Sequence, residues 1–332
     1  MIIAVVPLLI VAEKGREWGW DSATSITSYA IGVAGIIAFI LVERAMGEDA
    51  LLPLHLFKSN AFSFSTIIGV IVGTGMFGGM MTIPLILQIV YGATPTESGL
   101  LMLPMVLGMM TASILSGRFT GRTGKYKMFL ISGTACMTVA YFYLSNLTYQ
   151  WEIWQISVGM VLLGAGLGQL MQTLNMVAQN AVEAKDIGVA TSSATFFRQM
   201  GGTLGVAIFL SILFTSLQDK GPQIGKGIQA AIMKNPALLA EPKNAIFKTG
   251  GSKLADMINT DSSFLKTVSP ELAAPIKQAF AEAAVQVFTS ATIVVAVAFV
   301  LTWFLKEIAL RTKSGMQEQA EQKQAADAAA MH

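Results

Sequence analysis

The sequence has too few charged residues for a soluble protein. Asp, Glu, Lys and Arg make up only 13% of its 332 residues, whereas soluble domains carry about 25%. Apolar residues reach 53%, and the mean hydropathy is +0.60. Because so little charge cannot cover a surface in water, the composition predicts a membrane protein. The net charge of only +2 gives no sign of a nucleic-acid partner.

Cysteine and histidine are almost absent. Cys136 is the one cysteine, and His55 and His332 are the two histidines. A single thiol excludes a disulfide framework, and these three residues are too few for a Cys/His zinc site. They also form no cluster with Asp or Glu that approaches a catalytic geometry. We therefore expect no metal, no cofactor and no enzymatic activity, and we interpret Cys136 as a small core residue.

Long apolar runs dominate the rest of the chain. A helix needs about 20 mainly apolar residues to cross a bilayer, and seven stretches meet or approach that length. None shows the alternation of a membrane β-strand, so the sequence predicts an all-α, polytopic membrane helix bundle. The predicted spans are residues 27–43, 62–90, 98–117, 127–147, 153–179, 187–215 and 285–305.

The N-terminal stretch MIIAVVPLLIV is apolar but covers only about half a span. It lacks the charged leader and cleavage site of a signal peptide, and we interpret it as the remnant of a truncated transmembrane helix. The expected organisation is then a remnant (1–11), a linker with one span (12–60), five spans (61–215), an extracytoplasmic loop or small helical cap (216–284), the last span (285–305) and a cytoplasmic tail (306–332).

Two features are predicted within 216–284. Turns are expected at Gly221-Pro222 and Gly250-Gly251. Ser269-Pro270 is typical of a helix start, with proline at the first helical position. From there the sequence predicts an amphipathic helix that continues without a break into the last span.

The distribution of Lys and Arg predicts the orientation. Eleven of them lie in the short segments on one side of the predicted spans and two in the short segments on the other side. Because short loops rich in Lys and Arg stay in the cytoplasm, we expect loops 44–61, 118–127 and 180–186 and the C-terminal tail to be cytoplasmic. The expected location is the plasma (inner) membrane.

The stretch GRFTGRTGKYK at 117–127 holds four bases and no carboxylate. Its cations are expected to act as topology anchors at the anionic cytoplasmic leaflet. Its glycines predict a tight turn between two closely packed helices. Gly108, Ala112 and Ser116 precede it at a spacing of four, which is typical of a helix-packing face.

The pattern G-x-x-x-x-R-x-G-K in this stretch resembles the cytoplasmic signature loop of the major facilitator superfamily. The matching residues are Gly117, Arg122, Gly124 and Lys125. Gly121 stands where the family has an Asp that serves a charge-relay lock between helices, so this copy cannot form that bond.

Further stretches resemble the 14-helix drug:proton antiporters of that superfamily. They are PLILQIVYGATPTESGLLMLP (84–104), which includes Gln88, the run from 164 to 208 that contains RQMGGTLGVA, and GWDS (19–22) with the later PLHLFK. The resemblance covers nearly the whole chain. It implies the C-terminal half of such a transporter, with the N-terminal half on the same parent chain or on a second chain.

Span 153–179 carries a polar stripe. Its four amides fall within an arc of about 120° at 100° per residue: Gln169, Gln172, Asn175 and Gln179. In lipid, such groups must contact protein or a water-filled cavity. They therefore either form hydrogen bonds between helices or line a cavity for substrate, and Gln172 and Asn175 are the stronger cavity candidates.

Span 187–215 has a second stripe of Ser192, Thr195, Gln199 and Thr203, with Arg198 at its edge. A charge at such depth is unfavourable by about 2.5 kcal/mol or more. Arg198 therefore has a role in binding, coupling or gating, or else it snorkels or bonds to backbone carbonyls. No Asp or Glu lies deep in a predicted span, so the resemblance places the proton-carrying acid in the other half.

Two functions follow from these observations. One is a part of a proton-coupled efflux transporter for amphipathic or cationic compounds, with small-molecule substrate, protons and lipid as partners. The other is a truncated or half-size membrane protein without transport activity of its own. The candidate substrate-cavity residues are Gln88, Gln169, Gln172, Asn175, Ser192, Thr195, Arg198 and Gln199.

Overall fold

The computed structural model describes residues 2–19, 21–46, 52, 54–236, 238, 244 and 268–305. In these ranges the regular structure is helical, without strands. The helices are α1 (Ile2–Trp18), α2 (Ala23–Met46), α3 (Asn60–Ile89), α4 (Pro95–Leu101), α5 (Leu103–Thr123), α6 (Lys127–Leu144), α7 (Ile153–Asn180), α8 (Ile187–Asp219), α9 (Gly221–Lys234) and α10 (Pro270–Phe304). Short 3₁₀ helices at Leu54–Lys58 and Ala184–Asp186 precede α3 and α8.

Seven helical segments of the described part are long and apolar enough to cross a membrane. They are α2, α3, α4 with α5, α6, α7, the 3₁₀ helix Ala184–Asp186 with α8, and α10. The predicted all-α polytopic membrane bundle is thus confirmed.

Side-chain contacts define the two ends of this bundle. At one end, called the basic end, His55 Nε2 lies 3.0 Å from Asp186 Oδ2, and Lys127 Nζ donates to the Trp303 carbonyl at 3.1 Å. At the opposite end, the Tyr91 hydroxyl donates to the Trp151 carbonyl at 2.6 Å. Burial raises the pKa of Tyr91 to about 12, so this phenol stays a donor at neutral pH.

The N-terminal helix is longer than the sequence predicts. The predicted end of the helix remnant at residue 11 is wrong, because α1 continues to Trp18. α1 continues through Pro7 and Gly15, and it ends before Gly19, which adopts a φ of 84°. α1 and α2 then pack on each other, with Gly32 directly against Leu8.

The basic stretch 117–127 is mostly helical, which corrects the predicted loop 118–127. α5 continues to Thr123, and the turn itself consists of only three residues before α6. Gly124 adopts a φ of 71° and its N–H bonds to the Thr120 carbonyl at 2.8 Å, the usual end of a helix at glycine. Gly121 lies inside the helix with open space around it, so it serves neither the turn nor close packing.

Helices α5 and α7 pack closely through small residues. A Cβ atom on Gly164 would lie 2.0 Å from the Met105 carbonyl oxygen, and one on Gly168 would lie 2.1 Å from that of Met109. The prediction that α5 packs tightly on the next helix is therefore wrong, because α5 lies along α7 rather than along α6. The small face of α5 that includes Gly108 and the buried Ser116 meets α7 instead.

A second close pair joins α3 and α8. The backbone of Gly201 contacts Val70, that of Gly205 contacts Thr74, and that of Gly73 contacts Arg198. These glycines allow the backbones of α3 and α8 to approach each other closely. α7 also packs on α6 and α8, and α10 packs on α3, α6 and α8.

The last described helix begins at Pro270 after Ser269 and continues to Phe304, as predicted. The turn expected at Gly221-Pro222 lies one residue earlier, at Lys220, and Pro222 stands in the first turn of α9.

α9 packs on α10 at the opposite end of the bundle. Asn244 connects the few described residues between α9 and α10, which we call the cap residues. Its side-chain N–H groups donate to the Leu238 carbonyl and to Ser269 Oγ. Gly250-Gly251 and the tail 306–332 lie outside the described residues.

Candidate functional site

Arg198 lies at the junction of α3, α7 and α8. Its backbone carbonyl faces Gly73 so closely that a Cβ there would lie 2.1 Å away. Its side chain is buried, with 8% exposed, and Nη1 donates to Asn175 Oδ1 at 3.1 Å. Among the described residues it forms no ion pair. The partner of this charge is a neutral amide, which the sequence did not indicate because the two residues are on different helices.

Four further candidate residues lie on α7 and α8, the two helices that carry this pair. Ser192 and Gln199 of α8 are exposed, Thr195 is half-buried, and Gln172 of α7 is exposed. Gln172 also faces Gly117, near the basic end of α5. A Cβ atom added to Gly117 would lie 3.7 Å from Gln172 Cγ. We call Gln172, Asn175, Ser192, Thr195, Arg198 and Gln199 the polar face. It offers one cation together with neutral donors and acceptors.

Gln169 is separate from the polar face. Its Oε1 accepts a hydrogen bond from Ser132 Oγ of α6, and its Nε2 donates to the Ala165 carbonyl at 3.2 Å. Gln169 and Asn175 stand at opposite edges of the predicted stripe, about 120° apart. One edge meets α6 and the other meets α8, so the stripe divides between two surfaces.

Gln88 and Gln179 also lie apart from Arg198. Gln88 Nε2 donates to Ser98 Oγ of α4 at 3.2 Å, near the opposite end of the bundle. Gln179 Nε2 donates to Thr191 Oγ1 at 3.1 Å, where α7 and α8 meet at the basic end. Both amides thus bond between helices, which is one of the two roles that the sequence left open for Gln179.

The signature residues Gly117, Arg122, Gly124 and Lys125 lie at the end of α5 and in the short turn after it. Arg122 and Lys125 are exposed. This position suits contact with lipid headgroups or with water at the basic end. No described contact joins Arg122 or Lys125 to the polar face.

A charged pocket at the basic end was not predicted. It has a volume of about 650 Å³ and is lined by residues of α2, the 3₁₀ helix Leu54–Lys58 and the segment before α8. Within it Glu43 is buried and accepts the Leu52 N–H at 3.0 Å, and His55 pairs with Asp186. His55 and Asp186 are 131 residues apart in the chain, and no local pattern predicts such a contact.

Comparison with known proteins shows which family the chain resembles. The profile of the Major Facilitator Superfamily matches residues 2–206. A "Tetracycline resistance determinant" of Streptomyces rimosus is 31% identical over 324 residues, which are 97% of this chain and 93% of that protein.

Two longer relatives match as well. "Uncharacterized MFS-type transporter Rv1877" of Mycobacterium tuberculosis (strain ATCC 25618 / H37Rv) is 35% identical over 313 residues, 93% of this chain and 42% of its own length. "Multidrug transporter protein MdtP" of Bacillus subtilis (strain 168) is 30% identical over 340 residues, 98% of this chain and 60% of its own length. The chain therefore spans nearly all of the first relative but less than two thirds of these two.

Proposed function

The chain belongs to the Major Facilitator Superfamily, and from this we propose that it forms part of a secondary transporter that exports amphipathic small molecules. The superfamily consists of membrane transporters, in agreement with the expectation that the chain is not an enzyme. The names of the relatives support export as the direction, since one is a tetracycline resistance determinant and another a multidrug transporter.

The polar face carries the proposal. Exposed surface on the spanning helices is otherwise rich in large apolar side chains, such as Leu107, Ile293 and Val297. Exposed amides and hydroxyls at membrane depth are unfavourable in lipid, so they contact a water-filled cavity or further protein. A cavity wall with a few polar groups and one cation suits amphipathic molecules that carry their own donors and acceptors.

Proton coupling is the second part of the proposal. A proton carrier in such a transporter is an acidic side chain that titrates between the two access states. Among the described spans, Glu43 lies near the basic end of α2 and holds the Leu52 N–H, and Glu282 pairs with Lys220 at the opposite end. We therefore propose that the proton-carrying acid belongs to further helices that cover the polar face, on the same parent chain or on a second chain.

The alternative is a half-size membrane protein without transport activity of its own. The same polar face would then serve only as an interface to another protein. The two functions differ in what happens to small molecules in cells, and this difference decides between them.

The test uses the cells in which the chain naturally occurs, so that any partner is present. Deletion of its coding sequence should raise the steady-state accumulation of ethidium and tetracycline, and the wild-type chain should restore low accumulation. A protonophore should abolish that restoration. Unchanged accumulation of both compounds after deletion, with the chain detected in the wild-type membrane, would favour the alternative.

A further inference from the structure

A groove with a volume of about 700 Å³ runs between α5, α6 and α7, on a different side from the polar face. Its apolar lining includes Pro104, Leu107, Leu115, Phe129 and Val161, and its polar lining includes Thr111 and Gln169. We propose that this groove is a second binding site, which takes an uncharged amphipathic molecule from the lipid and receives its hydrogen-bond donor at Gln169.

The depth of the groove supports entry from lipid. Thr111 and Gln169 both lie near the middle of their spans, Pro95–Thr123 and Ile153–Asn180. The rim is apolar and open, since Leu107 is 60% exposed and Leu115 is 51% exposed. In a membrane-spanning bundle, an open apolar rim at this depth contacts acyl chains. A ligand dissolved in the bilayer therefore reaches the groove without crossing an aqueous space.

The groove exists because α5 follows α7 and diverges from α6. α5 and α6 meet at the basic end, where the ring centroids of Phe119 and Phe129 are 6.3 Å apart. Farther along, the small side chains of Thr111 and Ala112 face the gap and leave it unfilled. A volume of this size with an apolar wall and few polar groups is typical of a site for a drug-sized molecule.

The bonds of Gln169 specify which polar group fits. A side-chain amide has two N–H donors and two acceptor positions on its oxygen. One N–H donates to the Ala165 carbonyl, the Cys136 thiol lies within hydrogen-bonding reach of the amide, and the oxygen accepts one bond from Ser132. One acceptor position on Oε1 is left over. The ligand should therefore carry a hydroxyl or N–H donor on an otherwise apolar body.

Two photoreactive probes that differ by one methyl group test this inference: 4-hydroxybenzophenone, which has the donor, and 4-methoxybenzophenone, which lacks it. The purified chain in phosphatidylcholine vesicles is irradiated with each probe at mildly acidic pH, where the phenol is uncharged, and the labelled peptides are mapped. We expect saturable labelling within 104–116, 129 and 161–169. The hydroxyl probe should reach half-saturation at about a fivefold lower concentration, as for one neutral hydrogen bond of about 1 kcal/mol.

Variants separate the groove from the rest of the lipid-facing surface. Gln169→Leu should remove the preference for the hydroxyl probe and keep labelling by the methoxy probe. Thr111→Phe fills the groove and should reduce labelling by both probes at least about fivefold, and Leu115→Trp at the rim is a second filling variant. Met110→Phe is the matched control, since Met110 is exposed on α5 and does not line the groove.

Three results would overturn the proposal. They are labelling that fails to saturate, as expected for a groove filled by lipid chains; equal labelling of exposed apolar faces outside the groove; and a hydroxyl preference that survives in a folded Gln169→Leu protein. The measurement needs no gradient and no efflux. Its outcome is therefore independent of the proposed transport function.

Discussion

Arg198 holds a full positive charge inside a span with an amide as its described partner. Placing an arginine at such depth costs about 2.5–3.5 kcal/mol on insertion scales. A hydrogen bond to a charged group returns about 1.5–3 kcal/mol, and Asn175 supplies one such bond at 3.1 Å. Because the contact occupies only one of five donors, the guanidinium keeps capacity for a substrate carboxyl, hydroxyl or carbonyl group or for a carboxylate of another helix.

Charge should matter more than bulk at Arg198. In the complemented deletion strain, we expect Arg198→Lys to lower efflux two- to threefold, since it keeps a cation but loses the planar fork. Arg198→Gln should lower efflux by about tenfold or more, because it removes the charge. The measurement is ethidium efflux per molecule of folded protein in the membrane. Full efflux by a well-folded Arg198→Gln protein would refute a role for this charge in binding, coupling and gating.

Asn175 should contribute stability through the same bond. Asn175→Leu leaves the buried guanidinium without this acceptor, and we expect the free energy of unfolding to fall by about 1.5–3 kcal/mol. Ser192→Ala is the matched control, since Ser192 is exposed and bonds within its own helix, and it should change stability by less than about 0.5 kcal/mol. Unfolding in detergent titrated with dodecyl sulfate, followed by near-ultraviolet circular dichroism, compares the two. Equal effects would show that the Asn175 bond is not a stabilising contact.

At the scale of elements, small residues decide which helices pair. Gly164 and Gly168 of α7 place its backbone on α5, and Gly201 and Gly205 of α8 place its backbone on α3. In each pair the glycines are four residues apart and therefore lie on one side of their helix. This spacing does not indicate which helix each face meets. Neighbours in sequence were expected to pair, yet α5 pairs with α7 and leaves a groove beside α6.

Adding one methyl group at Gly164 should loosen the α5–α7 pair. The new Cβ would lie 2.0 Å from the Met105 carbonyl oxygen, which belongs to backbone and cannot rotate away. We expect Gly164→Ala to lower the free energy of unfolding by about 1–3 kcal/mol.

Gly121→Ala is the control for that substitution. Gly121 is helical and has open space around it, so alanine should be neutral or stabilising by up to about 1 kcal/mol through helix propensity. The same unfolding assay measures both variants. A neutral Gly164→Ala protein would mean that the two helices are less tightly packed than described.

The sequence predicts the number of spans, but it does not predict where each helix ends or which neighbour each helix face contacts. The apolar runs predicted seven spans, and seven are present in the described part. The sequence predicts helix ends at residues 11 and 117, whereas α1 continues to Trp18 and α5 to Thr123. Charged residues such as Arg118 and Arg122 continue a helix as readily as they form a loop. Likewise the stripe of four amides predicted one surface. Separating Gln169 from Asn175 requires knowledge of which helix lies on each side.

At the scale of the whole molecule, the bundle has one basic end and one opposite end. α9 and the described cap residues lie at the opposite end, whereas the signature residues lie at the basic end. If the basic end is cytoplasmic, as the excess of Lys and Arg in its loops predicts, every span has a fixed direction.

Cysteine labelling of intact cells tests this direction. In a Cys136→Ala background, Gly225→Cys on α9 should react with a membrane-impermeant maleimide added outside, since Gly225 is exposed with open space around it. Thr123→Cys at the exposed end of α5 should react only after the cells are permeabilised. The reverse pattern would invert the topology and would place the polar face's Gln172 near the outer surface.

The position of α10 also has a consequence for how the chain is made. This helix has 35 residues, is about 52 Å long at 1.5 Å per residue, and packs on α3, α6 and α8 with an alanine-rich buried face that includes Ala283, Ala284 and Ala291. It is synthesised after all of its neighbours. During translation the bundle therefore remains an open shell, whose future contact surfaces face lipid or membrane chaperones until residues 270–304 emerge from the ribosome.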